Sequence, residues 1–128
     1  MNSTLARKML DRALARSGRT VTLRRMSGVA PSQTSKDVTV RALVRAISAE
    51  EIAAGINQAN RKVILSPTEI AAAGWPVGES PSTTVANPSI PRANDKCIFE
   101  GRTWNVVAPV NPIYVNDVLV RIELQVAG

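Results

Sequence analysis

The sequence predicts a mainly β protein: a small antiparallel SH3-like β-barrel with an N-terminal helix, one short connecting helix and long loops. Its 128 residues suit one ordinary domain. The core must be aliphatic and rich in valine, because 45% of residues are hydrophobic but only 3% are aromatic, and β-branched residues favour strands. Five or six short runs have strand character, with turn residues between them. An OB-like barrel is the second choice, because OB recognition normally relies on aromatic stacking that this chain cannot supply.

Residues 1–17 are predicted to form a basic amphipathic helix, followed by a single barrel domain over residues 18–128. A polar residue at positions 2–4 can cap the helix, which runs to about Arg16 before Ser17-Gly18 ends it. Apolar residues recur at three- and four-residue spacing and form a stripe that must dock on the barrel or on a neighbouring subunit. The stripe consists of Leu5, Met9, Leu10, Ala13 and Leu14.

The net charge of +6 is concentrated at the N-terminus. Residues 1–25 contain seven basic residues and one acidic residue, whereas the nine basic and nine acidic residues that follow cancel. A basic segment on a neutral body suits contact with nucleic acid or with an acidic protein surface, and the alternative is a solvated helix face. The candidate partner- or DNA-facing basic cluster is Arg7, Lys8, Arg12, Arg16, Arg19, Arg24 and Arg25.

Two alternating runs predict an N-terminal β-hairpin. Residues 20–26 and residues 37–47 both alternate apolar and polar side chains, as half-buried strands do. The segment between them, predicted as an extended loop over residues 27–36, is polar and contains Gly28 and Pro31. Such a composition is typical of a mobile hairpin tip.

The segment from Arg61 to Pro76 predicts a buried strand followed directly by a short helix. Lys62 to Leu65 is largely apolar, as expected of a strand buried on both faces. Ser66 stands at an N-cap position with Glu69 three residues later, which predicts a capping box: the Ser66 hydroxyl accepts from the Glu69 N–H, and the Glu69 carboxylate accepts from the Ser66 N–H. Gly74 offers a left-handed cap where the helix ends.

The same S-x-x-E signature occurs earlier, at Ser48 and Glu51. It precedes Ile52-Ala53-Ala54 and Gly55, so these residues either form a single helical turn or lead directly into the loop that follows.

Residues 77–93 predict a long extended loop. Three prolines and many Ser, Thr and Asn residues argue against a helix there. Loops of this length in a compact domain are usually functional or disordered. In a protein that assembles, such an arm can order itself against a neighbour.

The last third of the sequence predicts two hairpins. The first turns at Glu100-Gly101 and the second at Asn116-Asp117. Residues 109–112 contain two prolines and are predicted to interrupt the sheet. The final strand, from Val118 to Val126, places five apolar residues on one face. Cys97 is interpreted as a small buried hydrophobe.

Four apolar residues are candidate interface anchors. Leu5 and Met9 lie on the helix stripe, and the two tryptophans are interpreted as core or interface anchors because no aromatic cluster surrounds them. The four residues are Leu5, Met9, Trp75 and Trp104.

The composition argues against an enzyme. There is no histidine, which excludes Ser–His and Cys–His nucleophile systems. A single cysteine provides neither a disulfide framework nor a cysteine-based zinc site. The only close acidic pair, Glu50-Glu51, points its side chains in different directions, so a carboxylate-based hydrolase is the weakest hypothesis. We expect no catalytic, cofactor-binding or metal-binding residues.

Two further expectations concern location. No apolar run approaches the roughly 20 residues that cross a bilayer, so no membrane partner is expected. Charged residues occupy the position where a secretory signal has its apolar core, which indicates a cytosolic origin.

The order of elements resembles the head-closure, or stopper, family of neck proteins from tailed bacteriophages with long tails. The resemblance rests on the basic helix, the hairpin, R-K-V-I-L-S-P-T-E-I ending in G-W-P, D-K-C-I-F-E-G-R-T-W-N-V and V-R-I-E-L-Q-V, and it covers most of residues 18–128. It implies a structural virion protein that forms a six- or twelve-fold homo-oligomeric ring between the portal–adaptor assembly and the tail. The ring would close the DNA-filled head, surround DNA in its channel and provide the surface where a tail terminator or tail completion protein docks.

A ring needs two different complementary patches on each subunit, because its head-to-tail contacts close by rotation. The N-terminal stripe and the arm at residues 77–93 are the candidates. We expect the basic cluster to meet acidic partner surfaces rather than DNA that must later leave the channel. The competing hypothesis is a small nucleic-acid-binding barrel with a basic N-terminal arm, which predicts salt-sensitive DNA binding by the isolated chain.

Overall fold

Alternating side chains place one face of each strand in a shared core, and the strands close into a six-stranded antiparallel barrel with the order β1-β2-β3-β6-β5-β4. The computed structural model describes residues 2–27, 31–57, 59–76, 87 and 89–128. The prediction of a mainly β antiparallel barrel with an N-terminal helix is confirmed. The elements are α1 (Ser3–Ser17), β1 (Arg19–Ser27), β2 (Thr34–Ala46), α2 (Ala49–Ala53), β3 (Arg61–Leu65), α3 (Pro67–Ala73), β4 (Lys96–Phe99), β5 (Arg102–Val115) and β6 (Val118–Ala127).

Strand β6 shows how the pattern builds the core. It pairs with β3 on one side and β5 on the other, and its alternate residues from Val120 to Val126 are buried, as the final-strand pattern predicts. Val118, at the start of the same face, is 41% exposed because it lies beyond the barrel core. Cys97 is fully buried, which confirms its interpretation as a small hydrophobe, and burial raises the pKa of its thiol to about 12.

The predicted N-terminal hairpin is confirmed, with Arg19 opposite Ala42 and Ser27 opposite Thr34. Both strands continue further than the sequence indicates, so the predicted loop over residues 27–36 is shortened at each end. Residues 28–30 of that loop lie outside the described residues, as do residues 77–86 and 88 of the predicted arm.

Both predicted tight turns are also present. Glu100 and Gly101 have φ of 56° and 68°, and Asn116 and Asp117 have φ of 51° and 64°. Two successive positive φ angles between paired antiparallel strands are those of a type I′ turn, whose twist matches that of the strands.

The prediction that residues 109–112 interrupt the sheet is confirmed only in part. Strand β5 runs through them, and the irregularity is absorbed as a register shift against β6 between Val107 and Asn111. Strand β4 pairs only with the first part of β5, from Arg102 to Asn105. The prolines therefore lie in a part of β5 that β4 does not reach, where a missing N–H costs little and an open strand edge is protected from unwanted pairing.

The capping box predicted at Ser66 is wrong in both of its bonds. The Ser66 hydroxyl accepts from the Thr68 N–H at 3.2 Å, and the Glu69 carboxylate accepts from the Arg41 N–H on β2 at 2.9 Å. Glu69 thus connects α3 to the barrel instead of capping its own helix. Gly74 does adopt the predicted left-handed cap, with φ of 65°.

The complete capping box belongs to the earlier signature. Ser48 Oγ accepts from the Glu51 N–H at 3.2 Å, and Glu51 Oε1 accepts from the Ser48 N–H at 3.1 Å. Helix α2 is therefore real, and two short helices stand where the sequence predicted one.

We predict that Asp117→Gly stabilises the protein. Asp117 holds a left-handed conformation that glycine adopts without a Cβ penalty, and Asn-Gly is the preferred pair for a type I′ turn. The free energy of unfolding, measured by urea denaturation, should rise by about 0.5–1 kcal/mol. Asp117→Ala is the matched control and should give no gain, since alanine keeps the penalty at positive φ.

Candidate assembly surface

Helix α1 lies outside the closed barrel and forms where the sequence predicts it. Asn2 is the N-cap, with Oδ1 accepting from the Leu5 N–H at 2.7 Å, and Gly18 ends the helix. The Gly18 backbone packs so closely that an added Cβ would stand 2.5 Å from the Leu14 carbonyl oxygen and 2.9 Å from that of Ala42. Only glycine allows α1 to pass into β1 at this distance from β2.

Three contacts fix the orientation of α1 on the barrel. Arg7 Nη2 donates to the Leu119 carbonyl oxygen of β6 at 2.8 Å. Asp11 Oδ2 accepts from the Thr68 hydroxyl of α3 at 2.9 Å. Leu14 is buried, with 4% of its surface exposed. These residues lie on one side of the helix, so the opposite side faces outward.

The predicted apolar stripe is therefore divided between the two sides. Leu14 docks on the barrel and Leu10 is half-buried, whereas Leu5 and Met9 are 48% and 51% exposed. Docking on the barrel is thus confirmed for one part of the stripe, and docking of the other part on a neighbouring subunit stays a prediction. Leu5 and Met9 remain available as interface anchors.

Three cations accompany Leu5 and Met9 on the outward side. Lys8, Arg12 and Arg16 are exposed, and among the residues that the structure describes none of the three forms an ion pair. We call Leu5, Lys8, Met9, Arg12 and Arg16 the outer face of α1. Arg16 also lies in the last turn, where a positive charge complements the helix dipole.

The other predicted basic residues are not part of this surface. Arg7 is used to hold the helix, Arg19 is paired with Glu100, and Arg24 forms a two-bond pair with Asp37 at 2.9 Å for each bond. Hydrogen bonding to Arg24 lowers the pKa of Asp37. Of the predicted seven-residue cluster, Lys8, Arg12 and Arg16 are thus the exposed cations that form no ion pair with the described residues.

Arg25 is excluded from the surface altogether, because only 1% of it is exposed. Its Nε and Nη2 donate to the Asp95 carboxylate at 3.0 and 2.7 Å, and its guanidinium carbon lies 4.7 Å from the centre of the Trp75 ring. Nη2 also donates to the Ile90 carbonyl oxygen at 3.2 Å. Arg25 therefore connects strand β1 to the residues on either side of the 77–86 segment.

The two tryptophans are core residues in this chain, so neither is a free interface anchor. Trp75 is 2% exposed and its Nε1 donates to the Lys36 carbonyl oxygen at 2.7 Å. Trp104 is 4% exposed and stacks on Phe99, with ring centres 5.2 Å apart. Arg102 lies over the Trp104 ring, 4.3 Å from its centre.

A charged network fastens α2 to the outside of the barrel. The Glu51 carboxylate lies 3.0 Å from Arg45 Nη1 and 3.1 Å from Lys62 Nζ, and Lys62 lies 3.8 Å from Glu123. Arg121 Nε and Glu123 Oε2 form an ion pair at 2.8 Å. The angles between the two groups are not those of a hydrogen bond. The hydrogen bonds from Ser48, followed by those from Lys62 and Arg45, lower the pKa of Glu51 from 4.5 to about 2.

This shift predicts a specific pH dependence. Because the pKa of Glu51 is lower in the folded protein, the carboxylate contributes stability above about pH 4.5 that is lost as the pH falls towards 2. We expect Glu51→Gln to be less stable than the wild type at pH 6, with the difference shrinking between pH 4.5 and 2 in urea denaturation. Glu50→Gln is the matched control: Glu50 is exposed, and its substitution should leave the pH profile unchanged.

Sequence reasoning missed the exposed apolar side chains at the end of the β5–β6 hairpin. Tyr114 is 52% and Val118 41% exposed, beside the turn. Alternation places Val118 on the same face as the buried residues of β6. The signal that could have found its exposure is its position directly after the Asn116-Asp117 turn, at the end of the β5–β6 hairpin.

In the described ranges, no three His, Cys, Asp or Glu side chains come close enough to hold a metal ion. None of the described helices is long and apolar enough to span a membrane. Comparisons of the chain with protein-family models, with curated proteins and with solved structures find no match.

Proposed function

We propose that this chain is a structural virion protein of the neck of a long-tailed bacteriophage. In this role it forms a homo-oligomeric ring between the portal–adaptor assembly and the tail. The ring closes the DNA-filled head and gives the tail its docking surface. The proposal starts from the resemblance of the sequence to head-closure proteins, and it makes the chain a component of an assembly rather than an enzyme.

The observation that carries the proposal is the outer face of α1. A helix held against a barrel by Arg7, Asp11 and Leu14 does not need exposed Leu5 and Met9 for its own stability. Exposed apolar side chains next to unpaired cations are typical of a surface that meets another protein.

The closed barrel restricts how such an assembly can form. Strand β4 pairs with β1 and completes the barrel, so subunits cannot join by adding strands to an open sheet there. Contacts between subunits then use side chains outside the barrel or the part of β5 that β4 does not reach. The outer face of α1 and the end of the β5–β6 hairpin, with Tyr114 and Val118, are exposed surfaces outside the barrel, and they adjoin at a cavity lined by Lys8 and Val118.

The proposal is tested by the mass of the purified chain in solution, alone and mixed with portal–adaptor complexes, at low and moderate salt. We expect the chain to join the complex in a fixed multiple of six copies, as the six- or twelve-fold ring of the resembled family implies. A chain that stays separate from portal–adaptor complexes at both salt concentrations would contradict the neck function.

The second candidate function is a nucleic-acid-binding barrel, and it is favoured by the three cations of α1 that form no ion pair with the described residues. It predicts that the isolated chain binds duplex DNA and that affinity falls steeply with salt, by a slope of about 0.9 for each phosphate neutralised. Against it, Arg19, Arg24 and Arg25 are already engaged with carboxylates of this chain. Tight DNA binding together with no association with the portal–adaptor complex would favour this function over the neck.

A further inference from the structure

We propose that the outer face of α1 binds an acidic amphipathic helix of a different protein, rather than a second copy of this chain or nucleic acid. The inference rests on the proposed function only in treating α1 as an assembly surface, and it names the chemistry of the partner.

The outer face is divided into an apolar half and a basic half. Leu5, Met9, Arg12 and Arg16 follow one another at spacings of four, three and four residues, so they form one row along the helix. The first two are about half exposed and the last two are exposed cations. Lys8 flanks the row as a third cation. A partner helix that matches it has two apolar side chains at one end and carboxylates at the other.

The carboxylates of this chain argue against a second copy as the partner. Most described carboxylates already have a partner: Asp11 and Thr68, Asp37 and Arg24, Glu51 and Lys62, Glu69 and the Arg41 N–H, Asp95 and Arg25, Glu100 and Arg19, and Glu123 and Arg121. Within the described ranges, Glu50 and Asp117 are the only side-chain carboxylates that form no hydrogen bond or ion pair.

Those two carboxylates lie on different elements, α2 and the β5–β6 turn. Within the part of the chain that the structure describes, a second copy therefore offers no row of acidic side chains for Lys8, Arg12 and Arg16. Because unpaired charge at an interface is unfavourable, these three cations point to a partner that supplies its own carboxylates.

The apolar half of the row argues against nucleic acid. Phosphate contacts need cations and give no role to Leu5 and Met9, which would stay in water. The only described aromatic side chain that is well exposed is Tyr114, on the hairpin, so the helix itself has no platform on which bases could stack. A protein helix uses both halves of the row at once.

The experiment measures binding of the full chain to three fluorescent probes by anisotropy. The first is a synthetic helical peptide as long as α1, with two leucines followed by three glutamates on one face. The second has the same composition but places leucines and glutamates on opposite faces. The third is a short DNA duplex. We expect the first probe to bind at least about tenfold more tightly than the other two.

Two variants divide the face. Leu5→Gln/Met9→Gln and Arg12→Glu/Arg16→Glu should each weaken binding of the first probe by about tenfold or more, since both halves contribute. The control Lys36→Glu/Lys96→Glu makes the same charge change on barrel strands and should bind the probe as the wild type does. Circular dichroism of each variant should show unchanged helix content.

Three results would overturn the proposal. One is tighter binding of the duplex than of the first peptide, unaffected by Leu5→Gln/Met9→Gln. Another is equal binding of the two peptides. The third is loss of self-association in Leu5→Gln/Met9→Gln, which would make a second copy the partner. A chain that binds the first peptide but does not associate with portal–adaptor complexes would support this inference and contradict the neck function. Failure of this inference can therefore be distinguished from failure of the proposed function.

Discussion

Replacing Arg25 by methionine is expected to lower the free energy of unfolding by about 3–5 kcal/mol. The substitution keeps much of the side-chain volume but leaves the Asp95 carboxylate buried without its cation, only 5% exposed. It also removes the guanidinium from the Trp75 ring and from the Ile90 carbonyl oxygen. Urea denaturation at neutral pH measures the change.

The neighbouring residue provides a matched control. Arg24 makes the same two-bond contact with Asp37, but that pair is more than one-third exposed. Arg24→Met should therefore cost less than about 1 kcal/mol. The double variant Arg25→Met/Asp95→Asn should be more stable than Arg25→Met alone, because asparagine removes the uncompensated charge and still accepts from the Arg92 N–H. Equal costs for Arg24→Met and Arg25→Met would contradict this account of the buried pair.

The second large effect is expected at Trp75. Trp75→Ala should cost about 3–5 kcal/mol, because it leaves a cavity in the core and an unpaired Lys36 carbonyl oxygen. Trp75→Phe refills most of the space and should cost about 1–2 kcal/mol for the lost hydrogen bond. Both values come from urea denaturation curves.

Trp104→Phe is the comparison that isolates the hydrogen bond. In the described part of the chain the Trp104 Nε1 has no acceptor, so phenylalanine removes a buried donor and keeps the stacking on Phe99. We expect it to be less destabilising than Trp75→Phe. If Trp104→Phe is instead the more destabilising of the two, ring size rather than the indole N–H determines how much each tryptophan contributes to the free energy of unfolding.

Features that depend on neighbouring residues could be predicted from the sequence. The two type I′ turns, the N-terminal hairpin and the alternation of β6 are all properties of short segments. The Ser48 capping box is of the same kind, since its two partners are three residues apart.

Features that depend on distant partners could not be predicted. Arg24 and Arg25 are adjacent, and the sequence does not distinguish their roles. Only the fold brings Asp95, 70 residues away, to Arg25 and leaves Arg24 at the surface. Glu69 fits a capping box but meets the Arg41 N–H across 28 residues. The helical spacing of the stripe on α1 does not show which of its residues face the barrel. Packing against the barrel buries Leu14 and leaves Leu5 and Met9 exposed.

The position of β6 between β3 and β5 has a consequence for biosynthesis. The ribosome makes β6 after every other strand of the barrel, yet β3 and β5 both depend on it for pairing. The Arg7 bond to Leu119 likewise joins residues 112 positions apart. A nascent chain without β6 therefore cannot close the barrel or dock α1, so folding begins late and, with contacts so distant in sequence, proceeds slowly.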